Sequence, residues 1–398
     1  MTSQPPPLTP PAPDFSLVLG GPLYQMYLRS RLVRPPADLV GRRIFVFILL
    51  AWLPLAVLTL AGGSAFGEVQ LPFASDLGVH ARLLVALPLL IAAEVIVHQR
   101  VQATVRQFVD RGIIAPADRA KFDGIIASVM RLRNSAPIEI ALAVTAITVG
   151  YWVWRERMAM QIGSWYVEVD AAGSQSLTVA GWWYAFVSLN VFRFVLLRWY
   201  FRLLVWYVFL WRVSRLKLRL NPLHPDRAGG LGFIGNSVFA FIPLLLAQTV
   251  VLAGVIGNRI LHEGTPLPVF YIEIASAVAL LMALVLAPLP FFMFQLARAK
   301  REGTREYGLL AMRYADEFRD KWLRGQRPAG EPLIGSADIQ SLNDLAGAHD
   351  VVREMRVLPF SLQTIVRLAI LVAVPYLPLV LAIIPLEELV GRFISKLL

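Results

Sequence analysis

No cysteine occurs among the 398 residues. Disulfides, thiolate metal sites and cysteine nucleophiles are therefore excluded. Histidine is nearly as scarce: the five are His80, His98, His224, His262 and His349, well separated along the chain. Structural zinc needs four convergent ligands, so no metal or cofactor is expected. Charged residues make up only 16% of the chain, and acidic ones are the rarer sign, 27 against 38 basic. Lysine is almost missing, since 33 of those 38 are arginine.

What fills the space is apolar. Hydrophobic residues account for 57% of the chain, and the mean hydropathy of +0.60 is too high for a water-soluble protein of this length. Seven apolar stretches stand out, at 44–62, 83–97, 137–154, 182–211, 233–256, 268–296 and 364–385. A helix crossing the hydrocarbon needs about 20 apolar residues. The expected fold is all-α, a polytopic integral membrane bundle of about seven transmembrane helices with two helical insertions on the cytoplasmic side. Six to eight spans stay open, because the second is short and carries Pro88 and Glu94, and the seventh carries Pro375, Pro378 and Pro385.

Basic residues crowd every second connection. One set of connections holds 28 Lys and Arg and the opposite set holds four, Arg82, Arg155, Arg157 and Arg259. That asymmetry predicts a cytoplasmic N-terminus in a multi-pass protein of the inner (plasma) membrane. It also accounts for the net charge of +11 without a nucleic-acid partner. The partners the pattern admits are the bilayer, anionic lipid headgroups and further copies of the chain.

Composition shifts divide the sequence. Residues 1–14 are a proline-rich tail expected to be disordered rather than a signal peptide. Residues 15–43 mix apolar and basic side chains, as an amphipathic segment on the inner surface or a short helix packed on the bundle. Spans one and two occupy 44–97, and 98–136 has the spacing of a helical hairpin with its turn near Pro116. Spans three to six occupy 137–296. The largest polar stretch, 297–363, extends span six as a charged helix, breaks at RPAGEPLIG and offers a second helix with Asp338 early in it. The last span and an amphipathic tail fill 364–398.

Two places concentrate polar residues. The first is LRLNPLHPDRAGGLGFIGN between spans four and five. Gly230, Gly232 and Gly235 spell G-x-G-x-x-G, yet membrane spans replace the strand and soluble helix a dinucleotide fingerprint requires. His224, Pro225 and Asp226 form the tripeptide of J-domain co-chaperones without their surrounding helices. Pro222 and Pro225 instead force a turn. Backbone N–H groups at Gly230 and Gly232, beside Arg219, His224, Asp226 and Arg227, suit an anion or a lipid headgroup. A rigid turn that binds nothing fits the same residues.

The second is span four, which carries Arg193, Arg198 and Arg202. Intramembrane arginine is costly and usually faces protein or water. At 100° per residue Arg198 and Arg202 share a face, and Arg193 lies about 140° from Arg198. Glu94 and Glu139 are the expected partners near the inner end, and Glu273 the partner at Arg193's depth. These arginines line an anion path on one reading and form structural ion pairs on the other. No catalytic set is recognisable, so an enzyme is not favoured. The pattern is similar to bacterial inner-membrane proteins, a resemblance that implies no particular activity. Three functions stay open: a channel- or transporter-like protein for anions, a scaffold or sensor with partner-binding cytoplasmic helices, and an enzyme acting on lipid phosphates.

Overall fold

The computed structural model describes residues 15–32, 39–67, 69–157, 164–169, 175–325, 332 and 337–381. The 1–14 tail and the 382–398 tail lie outside them. The described chain is helical but for one two-stranded antiparallel hairpin, β1 Val167–Val169 and β2 Gln175–Leu177, with Glu168 opposite Ser176.

Six helices are long and apolar enough to cross a membrane. They are α2 Val40–Ala61, α3 Leu77–Asp110, α6 Val179–Val213, α7 Gly232–Glu263, α8 Leu267–Leu286 and α11 Leu362–Val380. A seventh span exists if α4 Arg119–Arg133 and α5 Ala136–Arg157, joined at a 42° bend, are taken together. The remaining helices are α1 Pro22–Arg29, α9 Met293–Trp322 and α10 Ala337–Arg353.

Burial separates an inner set from an outer one. Of the most apolar window in each helix, 50% is buried in α6 and 56% in α7, against 17% in α2 and α8. The outer helices instead expose large apolar side chains: Phe45, Ile140, Ile272, Leu280 and Ile370. In water such a belt would be an aggregation surface; facing lipid it needs no cover. The inner helices meet around Trp199, Trp206, Phe108, Phe122 and Phe209, all fully buried. Phe108 and Phe209 meet edge to face at 6.2 Å.

Local sequence explains where these helices begin and where they are interrupted. The Asp76 carboxylate accepts the Val79 N–H at 3.0 Å and caps α3. The same carboxylate accepts from Asn258 of α7 and from the indole of Trp165, so one side chain starts a helix and ties it to two neighbours. Thr178 caps α6 through the Gly181 N–H at 2.9 Å, and Ser361 and Thr364 form a reciprocal capping box at α11. The regular α-helical pattern is interrupted ahead of prolines in the long helices: a π-helical turn at Ala81–Ala86 precedes Pro88, and a 3-10 turn at Ser237–Phe241 precedes Pro243. Pro288 and Pro290 end α8, so the stretch expected as one span at 268–296 is α8 followed by a 3-10 turn and then α9.

The polar connections fold onto the bundle. The first arm of the 98–136 hairpin is the continuation of α3 itself, which stops where Gly112 takes φ +66°. Its second arm is α4, packed on α6. Helices α9 and α10 pair as a charged hairpin, with Asp338 accepting from Lys321 at 2.8 Å and Trp322 at 2.9 Å. The segment ahead of α1 enters the bundle: Phe15 and Leu17 are fully buried, and Phe15 lies 4.7 Å from the Phe209 ring.

Candidate functional site

The arginines of α6 go to two different environments. Arg202 donates to Glu94 of α3 at 2.7 Å. Arg198 lies 3.0 Å from Glu139 of α5 and 3.9 Å from Glu94. A third guanidinium, Arg43 of α2, closes on the other oxygen of Glu94. Glu94 and the three arginines are buried, and Glu139 is partly so. Aromatic faces cover two of the cations, Trp199 under Arg202 at 4.7 Å and Tyr27 beside Arg43 at 5.9 Å. Burial pushes the Tyr27 phenol up to about 12, against the lowering pull of Arg198 and its fellow arginines, so it stays neutral there. The second oxygen of Glu139 accepts the Leu23 N–H at 3.1 Å. It thereby caps α1, whose own cap position is Gly21. The cluster thus clamps α2, α3, α5, α6 and the N-terminal segment at one level. The space beside Arg198 and Arg202 is about 20 Å³, room for about one water molecule.

Arg193 does not meet Glu273. Helix α8 packs on α7 and α11, and Glu273 is exposed on it. The Arg193 head lies over Gly150 of α5, where a methyl group would overlap it. Its Nη1 has no hydrogen-bond partner among the described residues.

The 218–236 turn is rigid, and one carboxylate makes it so. Asp226 Oδ1 accepts the N–H groups of Ala228 at 2.8 Å and Gly230 at 3.1 Å, and Oδ2 accepts that of Gly232 at 2.8 Å. Burial alone would raise the pKa of this acid. The three N–H donors and the neighbouring His224 outweigh it and hold Asp226 below the usual carboxylate value. His224 Nδ1 lies 3.0 Å from Oδ1. The N–H groups the sequence offered to an external anion are therefore filled by the protein's own. Arg227, at φ +52°, pairs with Glu354 at 2.8 Å on the surface. Arg219 is exposed, and its backbone joins the 113–114 turn. Gly235 sits against the backbone of Pro359, and a Cβ there would overlap the Pro359 carbonyl oxygen.

Beside this turn opens a cavity of about 490 Å³ at the basic end of α3, α7 and α11. Three guanidiniums line it: Arg100 from α3, Arg111 just past the end of α3, and Arg356 from the segment between α10 and α11. Arg100 donates to the Phe239 carbonyl at 3.3 Å, Arg111 lies over the Phe233 ring at 5.2 Å, and Arg356 donates to the Asp226 carbonyl at 2.7 Å. Among the described residues none of the three has a carboxylate partner. None was singled out from the sequence. A signal was present, because Arg100, Thr104, Gln107 and Arg111 recur at i, i+4, i+7 and i+11, the stripe of one helix face. Arg356 had none, since only the return of the chain from α10 brings it there.

No protein family, curated relative or solved structure matches the chain. The architecture itself defines the class, an all-α polytopic membrane bundle.

Proposed function

We propose that this is a transporter-like membrane protein for an anion, and that the anion binds in the basic cavity between α3, α7 and α11. One observation carries the reading: three guanidiniums without acid partners among the described residues line a single open cavity. Positive charge without acid partners in an open cleft attracts anions. The arginines of α6 serve structure in this reading, since Arg198 and Arg202 are spent on Glu94 and Glu139. A lipid-phosphate enzyme is less favoured, because the one acid lining the cavity, Asp226, already accepts three backbone donors.

The test is anion flux into liposomes. Arg100→Gln combined with Arg111→Gln should lower phosphate or sulfate uptake about tenfold or more, since hydrogen bonds to charged groups contribute about 1.5–3 kcal/mol each. Both side chains are exposed, so the unfolding temperature should stay within a few degrees. Uptake by wild type no faster than the leak of protein-free vesicles would reject transport.

Orientation belongs to the same proposal, with the cavity facing the cytoplasm of a cell bounded by the plasma (inner) membrane. Its support is the distribution of basic residues, 28 against four. Cysteine introduced at residue 115 should react only with reagent reaching the cytoplasm, and cysteine at residue 263 only with reagent outside. The reverse pattern would invert the protein.

A further inference from the structure

The cavity separates its cations rather than clustering them. Arg100 on α3 and Arg111, at the cap that closes it, are three turns apart, about 16 Å along the axis at 1.5 Å per residue. Their heads stay apart. The Arg100 head is held at the Phe239 carbonyl and the Arg111 head over the Phe233 ring. Those two anchors are six residues apart along the opening of α7, about 10 Å at helical rise. Arg356 is fixed on the facing wall by the Asp226 carbonyl. A single tetrahedral anion cannot reach both heads at that separation. The volume agrees, since about 490 Å³ is many times the roughly 30 Å³ share of one water and falls in the range of organic ligand sites.

Between the two cationic ends the lining changes character. Gln107 and Asn236 offer amide groups and Phe360 an apolar edge, while the Thr104 hydroxyl donates to the Arg100 carbonyl at 2.8 Å. Hydroxyls on a ligand would match that middle section.

We infer that the cavity binds a polyol bisphosphate, two phosphate groups about 10 Å apart on a hydroxyl-bearing linker, one near Arg100 and the other near Arg111. This rests on the anion-binding reading above and narrows it. A soluble sugar bisphosphate, with its phosphates at opposite ends of the carbon chain, supplies that spacing; a lipid whose two phosphates are joined by a three-carbon glycerol bridge carries the same groups too close together.

Binding to the purified full-length protein tests the inference, with inorganic phosphate, fructose 6-phosphate and fructose 1,6-bisphosphate as soluble probes and nanodiscs containing diphosphatidylglycerol as the lipid probe. Fructose 1,6-bisphosphate should bind at least tenfold tighter than fructose 6-phosphate and inorganic phosphate. Tighter binding of the nanodisc lipid than of fructose 1,6-bisphosphate would overturn the spacing argued here. Arg100→Gln or Arg111→Gln alone should bring the two-phosphate probe down to the monophosphate level. Equal affinity for one-phosphate and two-phosphate probes would overturn the bisphosphate inference and leave the anion site standing. Failure of every phosphate probe to bind wild type would overturn both. The comparison of probes on wild type decides the matter even if a variant folds poorly.

Discussion

Replacing Glu94 with glutamine should cost the folded protein about 3–5 kcal/mol, the usual result of breaking a buried ion pair from one side. Glu94 is the one carboxylate touching all three of Arg43, Arg198 and Arg202. Its neutralisation leaves those guanidiniums facing one another with only Glu139, held by Arg198, as a nearby acid. Arg43 stands to lose most, because its Nε and Nη2 already lack hydrogen-bond partners among the described residues. The cluster is asymmetric, so removing one cation should cost less. In Arg202→Gln, Glu94 keeps Arg43, and Arg198 keeps Glu139. Arg202→Met combined with Glu94→Gln should recover part of the loss, since removing both members of a buried pair is often close to neutral. Unfolding of the purified variants in detergent, by heat or denaturant, gives the ranking. A Glu94→Gln variant within 1 kcal/mol of wild type, or one no worse than Arg202→Gln, would contradict the structural role argued for α6, using the ion-pair scale as reference.

Asp226→Ala should cost about 2–3 kcal/mol, because three backbone N–H groups lose their acceptor at once. The figure stays below three full desolvation penalties because the side chain is partly exposed and water can replace it. Asp226→Asn should retain roughly half, since the amide oxygen can still serve Ala228 and Gly230. The pH dependence has a definite sign. Asp226 is held below its ordinary value of 3.8 in the folded state. Its contribution is therefore complete above the unfolded value and is lost as pH falls through the folded one. Acid unfolding of wild type should steepen below about pH 4 relative to Asp226→Asn, which lacks this titration. Identical acid limbs for the two proteins would dismiss the carboxylate as the source. The variant also bears on the cavity, since the Asp226 carbonyl holds Arg356. A loosened turn should weaken anion binding with no change to any cavity arginine.

How legible the protein was from its residues differs between fold and site. Hydropathy runs reveal α2, α3, α6, α7, α8 and α11, because a lipid solvent demands helices of about that length with no exposed backbone. Prolines at 88, 243, 288 and 290 marked where the regular helical pattern is interrupted. They did not show that 289–292 would separate α8 from the charged helix α9, since proline is also tolerated inside membrane helices. The 98–136 stretch looked separate from span two because its polarity rises abruptly. In the fold it continues the same helix, as backbone hydrogen bonding is indifferent to the change of solvent.

By itself the sequence determined the class of protein, the positions of its apolar helices, the turn forced by Pro222 and Pro225, and the shared face of Arg198 and Arg202. Each follows from local rules: hydrophobic length, fixed φ at proline and 100° per residue. Only the tertiary structure decided which charges are compensated. It joined Arg43 to Glu94 across 51 residues and set Arg193 over Gly150 rather than beside Glu273. It filled the glycine N–H groups with Asp226 and left Arg100, Arg111 and Arg356, among the described residues, without carboxylate partners around one cavity. The physical reason is that Coulomb energy depends on distance in space and on local dielectric, and neither is set until the helices have packed.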